Sequence, residues 1–112
     1  MMPRKFRKLR GKRISFLKGL ANNLIMKEKM QTTDARAKEI RVRVEKLVTL
    51  AKKQNQASLR LLLARVPKSA AMKLYYEIAP RYQQRAGGYL RITKLGKRRK
   101  RDAALQAVVE FV

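Results

Sequence analysis

The sequence predicts an α+β domain that carries two polycationic extensions. Apolar residues recur at 3.6-residue spacing over four stretches between positions 14 and 79, the mark of amphipathic helices. Tyr89 to Leu95 alternates as a half-buried strand does, and Leu105 to Val112 is rich in Val and Phe, so the two read as partners in a hairpin. Charge supplies the third observation. Residues 1–27 hold nine Lys or Arg and no acid, and residues 94–101 hold six more, half of the 30 bases in the chain. The other 77 residues hold 15 bases and all seven acids, a net of +8.

Residues 1–13 are expected to form a basic extended arm, and residues 14–112 a single folded domain. The run Pro3 to Arg13 is too charged to pack and too short to fold alone. The first helix is expected from Ile14 to about Lys29, with Ile14, Leu17, Ala21, Leu24 and Ile25 on one face and Phe16 and Leu20 alongside. Met30 to Thr33 is a short strand candidate, and Asp34 a helix N-cap. The second helix spans about Ala35 to Lys53, with Ala37, Ile40, Val44, Leu47, Val48 and Ala51 as its apolar stripe. Gln54-Asn55-Gln56 is a polar turn. The third helix, about Ala57 to Arg65, offers Leu59, Leu62, Leu63 and Val66 to the core before Pro67 stops it. The fourth, about Lys68 to Ala79, offers Ala71, Leu74, Tyr75 and Ile78 and is expected to end at Pro80. Arg81 to Gly88 reads as a basic loop closed by a Gly-Gly turn. In the strand that follows, Leu90 and Ile92 share one face, and Tyr89, Arg91 and Thr93 the other. Gly96 to Ala104 is then a long hairpin tip carrying five consecutive bases.

No constellation for catalysis is visible. The chain has no Cys and no His, which removes disulfides, thiolate chemistry, the usual zinc sites and a His base for any Ser nucleophile. Neither a Walker-type sequence nor a Gly-x-Gly-x-x-Gly run is present. No apolar run approaches the ~20 residues that a membrane-spanning helix needs. No cofactor, membrane or small-molecule substrate is expected.

A formal charge of +23 repels itself in the compact state and calls for a polyanion. Nucleic acid fits best, because phosphate neutralisation supplies most of the affinity in such complexes. No aromatic recognition pattern or zinc knuckle appears, so contact with the backbone of folded RNA is expected rather than base readout. Phe6, Tyr82 and Tyr89 are flanked by bases and could either stack on nucleotides or pack over the sheet edge.

Specific residues then carry a resemblance. Ile78-Ala79-Pro80-Arg81-Tyr82, Arg85, Gly87-Gly88-Tyr89, Arg91-Ile92, Lys94-Leu95-Gly96 and the closing Ala107-Val108-Val109-Glu110-Phe111-Val112 resemble the family of the seventeenth protein of the bacterial large ribosomal subunit. Asn22 to Ile25, Thr32-Thr33, Ala37-Lys38-Glu39, Glu45-Lys46-Leu47 and Thr49 to Lys53 are similar to it as well. The stretch Arg10 to Ser15 departs from the family's Gly-Arg-Thr-Ser-Ser-His-Arg, so RNA contacts there are not carried over. Lys100-Arg101 lengthens the tip where the family tends to have a single Gly. The resemblance implies an α+β fold of about four helices on one face of a small mixed sheet of about three strands. It also implies a non-enzymatic, structural role in the large ribosomal subunit of the cytoplasm, bound to 23S-type rRNA near the polypeptide exit. Neighbouring ribosomal proteins, including the small thirty-second protein, are implied partners.

Phosphate contacts are expected from Arg4, Lys5, Arg7, Lys8, Arg10, Lys12 and Arg13 in the arm, and from Lys94, Lys97, Arg98, Arg99, Lys100 and Arg101 at the tip. Arg81, Arg85 and Arg91 form a third expected patch. The rival readings are a DNA- or RNA-compacting basic protein outside the ribosome, and an RNA-modifying enzyme, which would need a cofactor pocket.

Overall fold

The computed structural model describes residues 10–98, 100 and 103–112, without the side chains of residues 10–13 and 97. Helix α1 covers Arg10–Lys27 and buries Leu17, Ala21, Leu24 and Ile25. It starts at Arg10 rather than Ile14, so residues 10–13 are helical and not part of an extended arm. Arg and Lys are good helix formers, and that propensity carries the turn although cations at a helix N-terminus meet the positive end of its dipole. The rest of the expected arm, residues 1–9, lies outside the described residues. Glu28 ends the helix in the left-handed region, at φ 63°, and its N–H returns to the Leu24 carbonyl. That reversal starts β1, Lys29–Thr33, at once.

Helix α2, Asp34–Ala51, buries the expected stripe of Ala37, Ile40, Val44, Leu47, Val48 and Ala51. Its cap is Thr33, not Asp34: the Thr33 hydroxyl accepts from the Arg36 N–H at 3.3 Å. Asp34 sits in the first turn, where a negative charge meets the positive end of the helix dipole. Helix α3, Gln56–Arg65, opens on a capping box. Asn55 Oδ1 accepts from the Ser58 N–H at 2.7 Å, and the Ser58 hydroxyl accepts from the Asn55 N–H at 3.3 Å. Leu62 and Val66 are buried, whereas Leu63, expected in the core, is 40% exposed.

Helix α4 runs over Lys68–Lys73, widens into a π-helical turn at Leu74–Ile78 and closes with Ala79–Arg81. It therefore passes through Pro80, where a stop was expected. Proline in a helix lacks a donor and crowds the carbonyl four residues back. The π turn absorbs that mismatch: the Ala79 N–H bonds Leu74 O, five residues back. Tyr75 O would then face Pro80, which has no N–H to give. The Gln54 side-chain amide supplies the missing donor at 2.8 Å.

Strands β2, Leu90–Arg98, and β3, Leu105–Phe111, form the expected hairpin. The sheet order is β1-β3-β2. Both pairings are antiparallel, which corrects the expected mixed sheet. The correction follows from the central strand: β3 folds back against β2, and β1 takes its other edge in the same orientation as β2. β2 also continues past Leu95, so the tip is shorter than expected. A register shift between Lys94 and Arg98 holds Gly96 at φ 70°, a value glycine tolerates without a Cβ penalty, and pairing resumes at Arg98 with Leu105. Helix α2 contacts all three strands as well as α1, α3 and the π turn. Met30, Ile92, Ala107 and Val109 line the covered face, while Lys29, Arg91 and Glu110 stand on the opposite one.

Candidate nucleic-acid interface

The basic residues fall into regions with different degrees of commitment to the fold. Of the arm, Arg10, Lys12 and Arg13 start α1, and Arg4, Lys5, Arg7 and Lys8 lie outside the described residues. At the tip, Lys94 and Lys100 are exposed and Lys97 lies in β2. Arg98 is also exposed, but its Nη1 donates to Ala103 O at 3.0 Å, across the tip it belongs to. Arg99 and Arg101 lie outside the described residues.

The third expected patch is divided. Arg81 grips the Glu28 carboxylate with both terminal nitrogens, the second at 3.2 Å. Lys73 reaches the same carboxylate at 3.3 Å and donates to Met26 O at 2.8 Å. The Arg81 hydrogen bonds hold the Glu28 carboxyl below the ordinary glutamate range, against a desolvation that pushes it up. Arg91 donates to Glu110 at 2.8 Å, and Lys29 approaches the same carboxylate at 4.0 Å. Glu110 is likewise held low, chiefly by the Arg91 hydrogen bond. Lys29, Glu110 and Arg91 are register partners, so they form one row across the open face of all three strands. Glu28 precedes Lys29 in the chain and joins the Arg81 cluster to that row. Four cations share two carboxylates, which leaves this surface a surplus of two positive charges. Arg85 is elsewhere. Its Nε donates to Gly87 O at 3.1 Å, and its carbonyl accepts from Lys52 Nζ.

The two tyrosines considered for base stacking belong to the core. Tyr89 is 1% and Tyr82 5% exposed, and their rings lie 5.3 Å apart. Tyr89 thus points inward and not with Arg91, because it precedes the strand. Lys52 Nζ donates to the Tyr89 hydroxyl at 3.0 Å, which lowers that phenol's pKa. The Tyr82 hydroxyl donates to Val112 O at 2.7 Å, and burial pushes its pKa up.

The acids serve the fold. Asp34 pairs with Lys38 at 3.2 Å, Glu39 with Arg43 at 3.9 Å, and Glu45 accepts from the Leu90 N–H at 3.3 Å. With Glu28 and Glu110, five of the seven acids are thereby committed to structural partners. Among the described residues no cluster of acids could hold a metal ion, and no helix is long and apolar enough to cross a membrane.

Lys29, Lys73 and the two glutamates were not singled out from the sequence. Arg91 opposite Glu110 follows from hairpin register once the tip length is known. Arg81 with Glu28 spans 53 residues and has no local signal.

Fold and surface together define a class: a small, strongly cationic α+β protein. The chain belongs to the ribosomal protein L17 family, whose model matches residues 16–112. It is 49% identical over 109 residues to the large ribosomal subunit protein bL17 of Persephonella marina, covering 96% of this chain and 88% of that one. The protein of the same name from Hydrogenobaculum is 43% identical over 108 residues, covering 96% and 92%. That of Oenococcus oeni is 39% identical over 128 aligned positions, covering 97% of each. Membership places the chain among ribosomal structural proteins and not among enzymes.

Proposed function

We propose that this chain is a structural constituent of the large ribosomal subunit and binds its 23S-type rRNA through phosphate-backbone contacts. The observation that carries the reading is the charge distribution: half of the 30 bases lie in residues 1–27 and 94–101, which contain no acid. Charge of one sign at that density repels itself in the folded chain and gains from releasing the counterions of a polyanion. Residues 1–9 and the first turn of α1 serve as one binding region, with Arg4, Lys5, Arg7, Lys8, Arg10, Lys12 and Arg13 as donors. The tip is a second, through Lys94, Lys97, Arg98, Arg99, Lys100 and Arg101. Arg81 and Arg91 contribute through the surplus charge around Glu28 and Glu110, and Arg85 through its exposed position on the Gly-Gly turn.

The site near the polypeptide exit, the ribosome-bound cytoplasmic location and the neighbouring proteins, among them the thirty-second, rest on the family resemblance. The test is competition at fixed salt between a large-subunit rRNA fragment and duplex DNA of equal length. Preference for the folded rRNA supports the reading. Equal affinity would favour a general compacting protein.

A further inference from the structure

A groove of about 640 Å³ lies between α1, α2 and the end of α3. Its floor and walls include Ile14, Leu17, Ala21, Val42, Leu47 and Val66. Two of these stand open to solvent, Ile14 at 39% and Val42 at 46% exposed. The rim is cationic. Lys18, Arg43, Lys46 and Arg65 border the groove against a single acid, Glu39. Glu39 is 3.9 Å from Arg43 Nε, too far for a hydrogen bond, and that buried Nε has no acceptor. Lys18, Lys46 and Arg65 have no ion-pair partner among the described residues.

We propose that this groove docks an acidic amphipathic segment of a partner protein, its aliphatic side chains on the floor and its carboxylates on the four rim cations. Charge complementarity selects the occupant. A second copy of this chain, at +23, would bring like charge to a cationic rim. An RNA backbone would satisfy the rim but bury less of the aliphatic floor than leucine side chains do, since it presents phosphates outward. A helix with leucines spaced i, i+3, i+4 and i+7 and glutamates between them matches both features.

The test uses the full chain and a fluorescein-labelled 16-residue peptide of that Leu/Glu pattern, followed by anisotropy at physiological salt. An oligo-glutamate of equal length serves as competitor. The double variant Ile14→Gln and Val42→Gln removes the apolar wall at two solvent-exposed positions, where the fold tolerates polar side chains. The variant is expected to weaken the peptide about tenfold, as expected for roughly one aliphatic side chain left unburied, while a large-subunit rRNA fragment binds within about twofold of the parent. Lys46→Gln should weaken the peptide by several-fold through the rim alone. Circular dichroism confirms that each variant is folded. The proposal fails if oligo-glutamate competes as well as the Leu/Glu peptide, or if the double variant leaves peptide affinity unchanged. It fails equally if the double variant weakens rRNA as much as peptide, in which case RNA covers the groove. None of these outcomes bears on rRNA binding by the arm and the tip.

Discussion

The side-chain amide of Gln54 donates to the main-chain carbonyl of Tyr75 at 2.8 Å, and to that of Ala51 at the same distance. One side chain thus finishes α2 and repairs α4. The repair is needed because the Ala79 N–H has moved to Leu74 O and Pro80 has no N–H. The polar turn between α2 and α3 and the Ile-Ala-Pro-Arg-Tyr run are therefore two halves of one device.

Gln54→Ala is expected to destabilise the fold by about 1 kcal/mol, the net worth of a typical hydrogen bond. In a Pro80→Ala background residue 80 regains a donor, and the same change should cost clearly less. Urea denaturation of the two single variants and the double variant measures the coupling. Strict additivity would separate Gln54 from the π turn.

Acid stability should report on Glu28. Its folded-state pKa is depressed, so its contribution is complete above the ordinary glutamate range and lost as pH falls through that range to the lower folded value. Glu28→Gln removes a titrating group. The slope of urea midpoint against pH on the acid side should flatten in the variant. An unchanged slope would mean that the Arg81 and Lys73 contacts do not persist in solution.

Tyr82 should behave in the opposite sense. Its phenol is pushed up by burial, so the stability it contributes is complete below the ordinary tyrosine range and lost as pH rises through that range to the raised folded value. Ultraviolet titration should show a phenol ionising later than ordinary tyrosine, absent from Tyr82→Phe. That variant also frees the Val112 carbonyl and should lose about 1 kcal/mol.

Gly96→Ala tests the bulge in β2. A Cβ there meets nothing within 4 Å, so crowding adds no cost. The φ of 70° alone should cost about 1–2 kcal/mol. A thermal melt checks it, and a neutral result would mean that the bulge flattens readily.

Helix stripes were legible in the sequence because burial imposes a period: all six expected core positions of α2 are buried. The β2–β3 hairpin was legible for the same reason. Pro80 misled, because the cost of a proline in a helix depends on a donor, Gln54, that only tertiary structure supplies. Arg98 looked free within a basic run, yet a Gly-centred bulge returns its side chain to Ala103 O. The flanking bases left Tyr82 and Tyr89 open to either stacking on nucleotides or packing; both rings pack in the core, Tyr82 also against Phe111. Local pattern encodes which face is apolar. It does not encode which distant carboxylate a given arginine meets, and Arg81 and Arg91 were read as one free patch on that account.

The central claim is that the cationic tip and arm hold large-subunit rRNA by its phosphates. It is tested most directly by the salt dependence of binding to a large-subunit rRNA fragment, for the parent chain and for Arg98→Ala with Arg99→Ala. The account predicts a steep linear fall of log affinity with log salt, flatter in the variant by roughly 0.7–0.9 for each phosphate that the variant no longer neutralises. Salt-independent binding, or the same slope in parent and variant, would contradict it.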